Sequence, residues 1–162
     1  MLSHLETLFL RDLDGLRAEV ELYPDDDTPW QAVPGCPNSG GNLVLHLVGN
    51  LRHFIGAKFG GTGYLRNRDA EFSTTGLSRQ ELVGLVDKAR SEVATTLGSL
   101  DPAVLAAPCE LPGNRVTVTG LWLMHLSVHL GYHLGQLDYH RRTVTGNPAS
   151  AGMLPLQPLA SV

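Results

Sequence analysis

The sequence of residues 121–139 reads LWLMHLSVHLGYHLGQLDY. Within it His125, His129 and His133 follow one another at intervals of four residues, and His140 comes seven residues after His133. Residues four apart lie on the same face of an α-helix, so the spacing predicts one helix that carries a row of imidazoles. Two such imidazoles can bind one transition-metal ion when another element supplies a further ligand.

The nearest further ligand is His46, which lies in a second apolar segment predicted to be helical over residues 40–59. Asn38 or Ser39 is expected to cap its start, and the glycines from Gly60 onward are expected to end it. Taken alone, a histidine on an apolar helix face is more often a hydrogen-bonded core residue than a metal ligand. The paired histidines of the last helix make metal ligation the stronger interpretation.

Two more helices complete the predicted fold. Apolar residues recur at a period of 3.6 over residues 2–22, and Ser78 followed by Glu81 forms a capping box that opens a third helix. The last helix is predicted over residues 120–142, with Thr117 or Thr119 as its cap. Residues 116–118 are either a short extended piece or the approach to that helix.

No segment shows the β-branched alternation of a sheet, so the sequence predicts an all-α protein built as a four-helix bundle. Bundles of this kind build their sites in the core, from side chains on facing helices. Residues 1–145 are expected to form the bundle. Residues 146–162, rich in Pro, Ala and Gly, are expected to form an extended tail that packs on the bundle or on a partner subunit.

Composition excludes several classes of protein. A chain of 162 residues can bury enough apolar surface to fold without disulfides or a structural metal, so a metal here is expected to be functional. The net charge of -4, with only 12 Lys and Arg, argues against nucleic-acid binding. Neither a signal segment nor a membrane span is predicted, which makes the cytoplasm the expected compartment. Cys36 and Cys109 form no metal or redox motif and are expected to be free.

The chain resembles the DinB-like superfamily of metal-dependent enzymes, and its YfiT branch, over about residues 2–142. Three segments carry the resemblance: NLVLHL with GNLRHF around His46, the loop GGTGYLRNRDAEF of residues 60–72, and HLGYHLGQ at residues 129–136. The family pattern is one histidine in the second helix of a four-helix bundle and a His-x-x-x-His pair in the last helix, followed closely by Gly-Gln. The resemblance implies a bundle of that family's connectivity.

The resemblance also assigns the ligands residue by residue. It implies that His46, His129 and His133 bind the metal, because the last two precede Gly-Gln. Spacing alone leaves the pair His125 and His129 open. Side chains that could support the ligands are Asn50, His53, His125 and Gln136, although a buried polar contact explains Asn50 and Gln136 equally well. His140 is expected at the surface near the helix end.

Three histidines leave a position open for water or substrate on Zn²⁺, and imidazole suits other divalent ions too. We expect Zn or Ni, with Fe or Mn as alternatives. The resemblance implies a transferase that activates a low-molecular-weight thiol such as bacillithiol, mycothiol or glutathione; a hydrolase that activates water is the other enzymatic reading. It also implies a homodimer. The alternative is a non-catalytic metal-binding dimeric bundle that acts as a stress-related interaction protein.

Overall fold

The computed structural model of the protein describes residues 1–152 and 154–160. These residues are mostly helical, with one small two-stranded sheet. The elements are α1 (Leu2–Glu21), α2 (Gly40–Leu51), a π-helical segment (Arg52–Ala57), α3 (Lys58–Gly60), α4 (Arg68–Ser73), α5 (Arg79–Ser99), β1 (Pro108–Leu111), β2 (Arg115–Val118) and α6 (Thr119–Thr145). Short 3₁₀ turns lie at Thr28–Trp30, Pro102–Ala106 and Gln157–Leu159.

The long helices share one apolar core. Helix α1 packs against α5 and α6, and α2 packs against α4, α5 and α6. Leucines of α1, α2 and α6, together with Val86 and Val93 of α5, are fully or almost fully buried in it. This packing places α2 and α6 in contact along the faces that carry the histidines. None of the helices in the described residues is long and apolar enough to span a membrane.

Local sequence signals account for the ends of α2 and α5. The Ser39 hydroxyl accepts a hydrogen bond from the Asn42 N–H at the start of α2, and Gly61 ends α3 with a left-handed backbone at φ 62°. At the start of α5 the reciprocal capping box between Ser78 and Glu81 is present. These caps confirm the predicted starts of α2 and α5 and the predicted end of the second helical segment at the glycines from Gly60 onward.

The sequence predicts one uniform helix over residues 40–59, but the structure interrupts it. Residues Arg52–Ala57 are π-helical, although helical structure continues to Gly60. π-Helical segments are rare in proteins, and those that occur often lie at functional sites. Here the segment carries His53 and Phe54 and adjoins the part of α2 that packs against α6.

Two elements were missed by the prediction of a purely helical chain. Residues 108–118 form an antiparallel hairpin whose register pairs Leu111 with Arg115 and Cys109 with Thr117, so residues 116–118 belong to a strand. The short helix α4 lies in a segment where only a loop was expected. The expected threonine cap of α6 was also wrong: Val118 occupies the N-cap position, and the Thr119 hydroxyl donates to Ala107 O instead.

The C-terminal end of α6 holds the following segment through its arginines. Arg141 is fully buried; it pairs with Glu19 of α1 and donates to the carbonyl oxygens of Asn147 and Ala149. Arg142 donates to Pro148 O. The first residues of the predicted tail are therefore held against the end of α6. Residues 153, 161 and 162 of that tail lie outside the described residues.

The structure contradicts the expected surface position of His140. Its side chain is only 6% exposed, because α6 runs to Thr145 and the 3₁₀ turn after α1 covers this end. The imidazole Nδ1 accepts a hydrogen bond from the Tyr23 hydroxyl at 2.7 Å, and Nε2 donates to Gln31 O at 2.9 Å. Burial lowers the pKa of His140, and the hydrogen bond to Gln31 only partly opposes this effect. His140 is therefore a neutral core residue that joins α6 to the chain after α1.

The lowered pKa of His140 predicts a pH-dependent stability. Since the folded value lies below the unfolded value of about 6.5, protonation favours the unfolded chain. The contribution of the neutral ring is fully present above a pH of about 6.5 and is lost as the pH falls from there towards the folded pKa. Urea unfolding of the metal-free protein between neutral pH and pH 5.5 should thus show a shallower pH slope in His140→Gln than in the parent. The difference is at most about 1.4 kcal/mol per pH unit.

The matched control for this experiment is His4→Gln, since His4 is exposed near the start of α1. It should leave the slope of the parent unchanged. Equal slopes for His140→Gln and the parent would contradict the buried neutral ring.

Candidate metal centre

Helices α2 and α6 bring three histidines together where they cross. His46 of α2 faces His129 and His133 of α6, with ring centroids 5.2 Å and 5.1 Å away, and the two α6 rings lie 4.5 Å apart. One ring nitrogen from each residue can be chosen so that all three lie within 4.8 Å of one another. The three could therefore hold a metal ion.

The closest nitrogens are spaced as ligands of one ion would be. The Nε2 atoms of His46 and His129 are 3.2 Å apart. Two nitrogens that each lie about 2.0–2.1 Å from one tetrahedral Zn²⁺ are about 3.3 Å from each other. The arrangement of His46 and His129 thus suits a shared ion.

His46 is oriented by an ion-pair network from α4. Its Nδ1 lies 2.9 Å from Glu71 Oε2, and the Arg66 guanidinium binds both Glu71 oxygens at 2.6 Å and 2.8 Å. Burial alone would raise the pKa of Glu71, but hydrogen bonds from Arg66 and His46 outweigh it and lower the pKa. The ionised carboxylate keeps the proton of His46 on Nδ1. The lone pair on Nε2 then faces His129 and His133.

Close approach of Glu71 to α2 requires a glycine. A Cβ at Gly49 would collide with Glu71 Oε1. Phe72, the residue after Glu71, places its ring 5.0 Å from that of His46. Helix α4 therefore supplies both the carboxylate and an apolar wall to this histidine.

His133 is fixed by a neighbour on its own helix. Its Nδ1 lies 2.6 Å from Gln136 Oε1. An amide oxygen only accepts, so the ring proton sits on Nδ1 and the lone pair on Nε2 is free. Metal-ligating histidines usually donate their other N–H in this way.

His129 is partly buried between His125 and His133 on α6. Burial, together with smaller effects of the neighbouring His133, His46 and His125, lowers its pKa to about 4. Its Nδ1 is buried without a hydrogen-bond partner in the described residues. The ring is thus neutral at physiological pH, which is the form that binds a metal.

The donor set fits a divalent transition metal. All three ligands are imidazoles, two of them have their tautomer set by a partner, and the third is kept neutral by its surroundings. His129 and His133 remain partly exposed, which leaves access for a further ligand.

The other predicted supporting residues lie close by but do not hydrogen-bond to the three histidines in the described structure. Asn50 is buried and its Oδ1 has no partner; the Nδ1 of His53 is likewise buried and unpartnered. His125 is exposed and stacks on Trp122, with its ring centroid 6.3 Å from that of His129. The alternative pair of His125 and His129 is therefore not the pair that meets His46.

Sequence reasoning missed Arg66 and Glu71 as functional residues. Both fall in the polar segment of residues 60–72, which lacks an apolar period. The only local signal is Asn67, whose side chain accepts from the Ala70 N–H and caps α4. That cap predicts a short helix, but it does not indicate that the Glu71 carboxylate of this helix reaches His46.

Two clefts open along α6, one at each end of the histidine row, and none of His46, His129 and His133 lines either of them. The Gln136 cleft, of about 400 Å³, is lined by Gln136, Tyr139 and His140 of α6 and by the loop around Cys36. The His125 cleft, of about 500 Å³, is lined by Trp122 and His125 of α6 and by the hairpin. Each cleft adjoins the site through one residue, because Gln136 bonds to His133 and His125 lies one helical turn before His129.

Comparison with known protein families gives a match over most of the chain. Residues 14–151 match a family described as a protein of unknown function (DUF1572). The chain belongs to this family. A search of curated proteins found no match, and a search of solved structures found none either. The match covers α2, α4 and α6, so the whole three-histidine arrangement lies within the family region.

The carboxylate behind His46 gives a testable prediction. Glu71→Gln removes the charge that holds the His46 proton on Nδ1, so divalent-metal affinity should fall by about 10–100-fold. Competition with a chromophoric chelator measures it. Glu92→Gln is the matched control, because Glu92 makes a similar two-point pair with Arg52 at 3.0 Å and 2.9 Å that does not contact the histidines. Equal affinities of the two variants would contradict the role of Glu71.

Proposed function

We propose that the protein is a metal-dependent enzyme whose ion is bound by His46, His129 and His133. The observation that carries the proposal is the convergence of three imidazoles, two of them oriented by Glu71 and Gln136. We further propose that the helices form a four-helix bundle of DinB-like connectivity, and that the protein works in the cytoplasm. Zn or Ni is the expected ion, with Fe or Mn as alternatives.

A divalent ion held by three neutral ligands keeps its full charge and would act as a Lewis acid that lowers the pKa of a thiol or a water molecule. The protein's own part is to hold the rings in place. Glu71 and Arg66 fix His46 from one side, Gln136 fixes His133, and Phe72 shields the His46 ring from water.

A thiol-dependent transferase is favoured over a hydrolase by the state of Glu71. In the described residues this is the carboxylate that hydrogen-bonds to one of the three histidines, His46, and both of its oxygens are engaged by Arg66 and His46. It is thus poorly placed to take a proton from water as a general base. Activation of a low-molecular-weight thiol of the bacillithiol, mycothiol or glutathione type needs only a lowered thiol pKa.

Metal content of the purified protein tests this proposal. Protein made without an affinity tag or chelator should contain about one Zn, Ni or Fe per chain by elemental analysis. A His46→Ala, His129→Ala, His133→Ala triple variant should fold, by circular dichroism, and contain none. His125→Ala is the matched control and should keep the metal. Equal metal content in the triple variant and the parent would refute the assigned ligands.

Activity separates the two enzymatic readings. The metal-loaded parent should accelerate the displacement of chloride from 1-chloro-2,4-dinitrobenzene by a low-molecular-weight thiol, and the triple variant should not. Ester hydrolysis without thiol transfer would favour the hydrolase. A full metal site with neither activity would favour the non-catalytic interaction protein.

The outer face of α6 supports a homodimer, which we propose under either reading. Val128, Tyr132 and Tyr139 are 72%, 64% and 74% exposed, and Leu121 and Met124 continue the same stripe. Residues 119–137 contain no Asp, Glu, Lys or Arg. A standard interface buries about 800 Å² per partner, and a buried tyrosine brings about 150–250 Å². The stripe supplies much of that area, and an uncharged apolar face can pair with its own copy by two-fold symmetry.

A charge in this stripe should prevent dimerisation. The parent is expected to sediment as a dimer, and Val128→Glu as a monomer, because each two-fold contact would bury two carboxylates without partners. Gln80→Glu, at an exposed position of α5, is the charge-matched control and should stay dimeric. A monomeric parent would contradict the proposed homodimer. A dimeric Val128→Glu variant would show that the interface lies on another surface.

A further inference from the structure

The His125 cleft has a lining that the metal centre alone does not explain. Its walls come from α6, through Leu121, Trp122 and His125, and from the hairpin. Side chains alternate between the two faces of a strand. The hairpin register therefore puts Arg115 on the same face as its partner Leu111 and as Thr117, which also line the cleft.

Arg115 differs from most arginines of the protein because, in the described residues, its guanidinium has no carboxylate partner. Arg52, Arg66, Arg90 and Arg141 all pair with carboxylates. In residues 1–152 and 154–160, Arg115 makes no ion pair. The nearest acidic residue in sequence, Glu110, falls on the opposite face of the hairpin by the same alternation.

The remaining polar groups of the cleft are also suited to an anion. The Trp122 indole N–H is a donor only, and Nε1 is buried without a partner in the described residues. His125 stacks on that indole at 5.1 Å and 13°, and no Asp or Glu lines the cleft. Leu111, Pro112 and Leu121 add apolar surface beside these donors. The cleft thus pairs an arginine with an apolar wall.

The cleft lies next to the proposed reaction centre. His125 is one helical turn before His129, with ring centroids 6.3 Å apart. A small molecule anchored in the cleft can therefore extend along α6 towards the three histidines.

We propose that the His125 cleft is an anion subsite that takes the carboxylate of a small organic acid, with Arg115 as its main anchor and an apolar part of the ligand against Leu111 and Leu121. A planar guanidinium matches a carboxylate through two parallel hydrogen bonds. The assignment of this acid as a substrate or thiol co-substrate rests on the proposed function; binding of the carboxylate itself does not.

Two probes with the same body test the subsite on the metal-free protein. 3-Phenylpropionate and 3-phenylpropan-1-ol differ only in the carboxylate, and the indole and imidazole signals of Trp122 and His125 in NMR spectra report binding. The acid should bind at least about tenfold more tightly than the alcohol, as expected for hydrogen bonds to a charged group. In Arg115→Gln its affinity should fall to that of the alcohol. Lys88→Gln, which removes the same charge from an exposed position on α5, should leave it unchanged.

Equal affinities for acid and alcohol, or an unchanged affinity in Arg115→Gln, would overturn the proposal. Tighter binding of inorganic phosphate than of the acid would overturn the carboxylate assignment. Metal content is measured in the same variants as purified, before the metal is removed for the binding experiment, and Arg115→Gln should keep that of the parent. A protein that binds the acid but contains no metal would refute the proposed function and support the subsite. A protein that contains the metal but does not bind the acid would refute the subsite and leave the proposed function intact.

Discussion

The hydrogen bond from His46 to Glu71 is the contact on which the candidate centre depends. It joins α2 to α4, it selects the ring tautomer of His46, and it places a negative charge behind the ring while leaving the opposite nitrogen free. Glu71 can do this only because Arg66 compensates its charge in a buried setting. Removing Arg66 would leave a buried carboxylate with one partner, which is costly. The three residues therefore act as one unit, and the histidines of α6 meet a ring that is already oriented.

Buried charged groups are also paired at the C-terminal end of α6. Arg141 is buried against Glu19 and satisfies the carbonyl oxygens of the segment that follows the helix, while His140 stays neutral between Tyr23 and Gln31. These contacts fix how far α6 extends and how it lies on α1. Because His129 and His133 are on the same helix, the anchor at its end also sets where they meet α2.

Much of this fold follows from local sequence signals, and much of the site does not. The capping box at Ser78, the cap at Ser39 and the glycine at position 61 mark helix ends that physical rules identify directly. The spacing of His129 and His133 likewise fixes their common face. By contrast, the hairpin depends on pairing between two segments that are each too short to show a pattern, and α4 is too short to show a period. The burial of His140 depends on the 3₁₀ turn at Thr28–Trp30, which no property of α6 itself indicates. Glu71 reaches His46 only through the tertiary contact of α4 with α2.

The central claim is that His46, His129 and His133 bind one ion together. X-ray absorption spectroscopy of the metal-loaded protein measures the ligand atoms and their distances directly. The account predicts three imidazole nitrogens at about 2.0–2.1 Å from Zn, with an oxygen from solvent as any remaining ligand. A shell with only one imidazole, or with a sulfur ligand from Cys36 or Cys109, would contradict it.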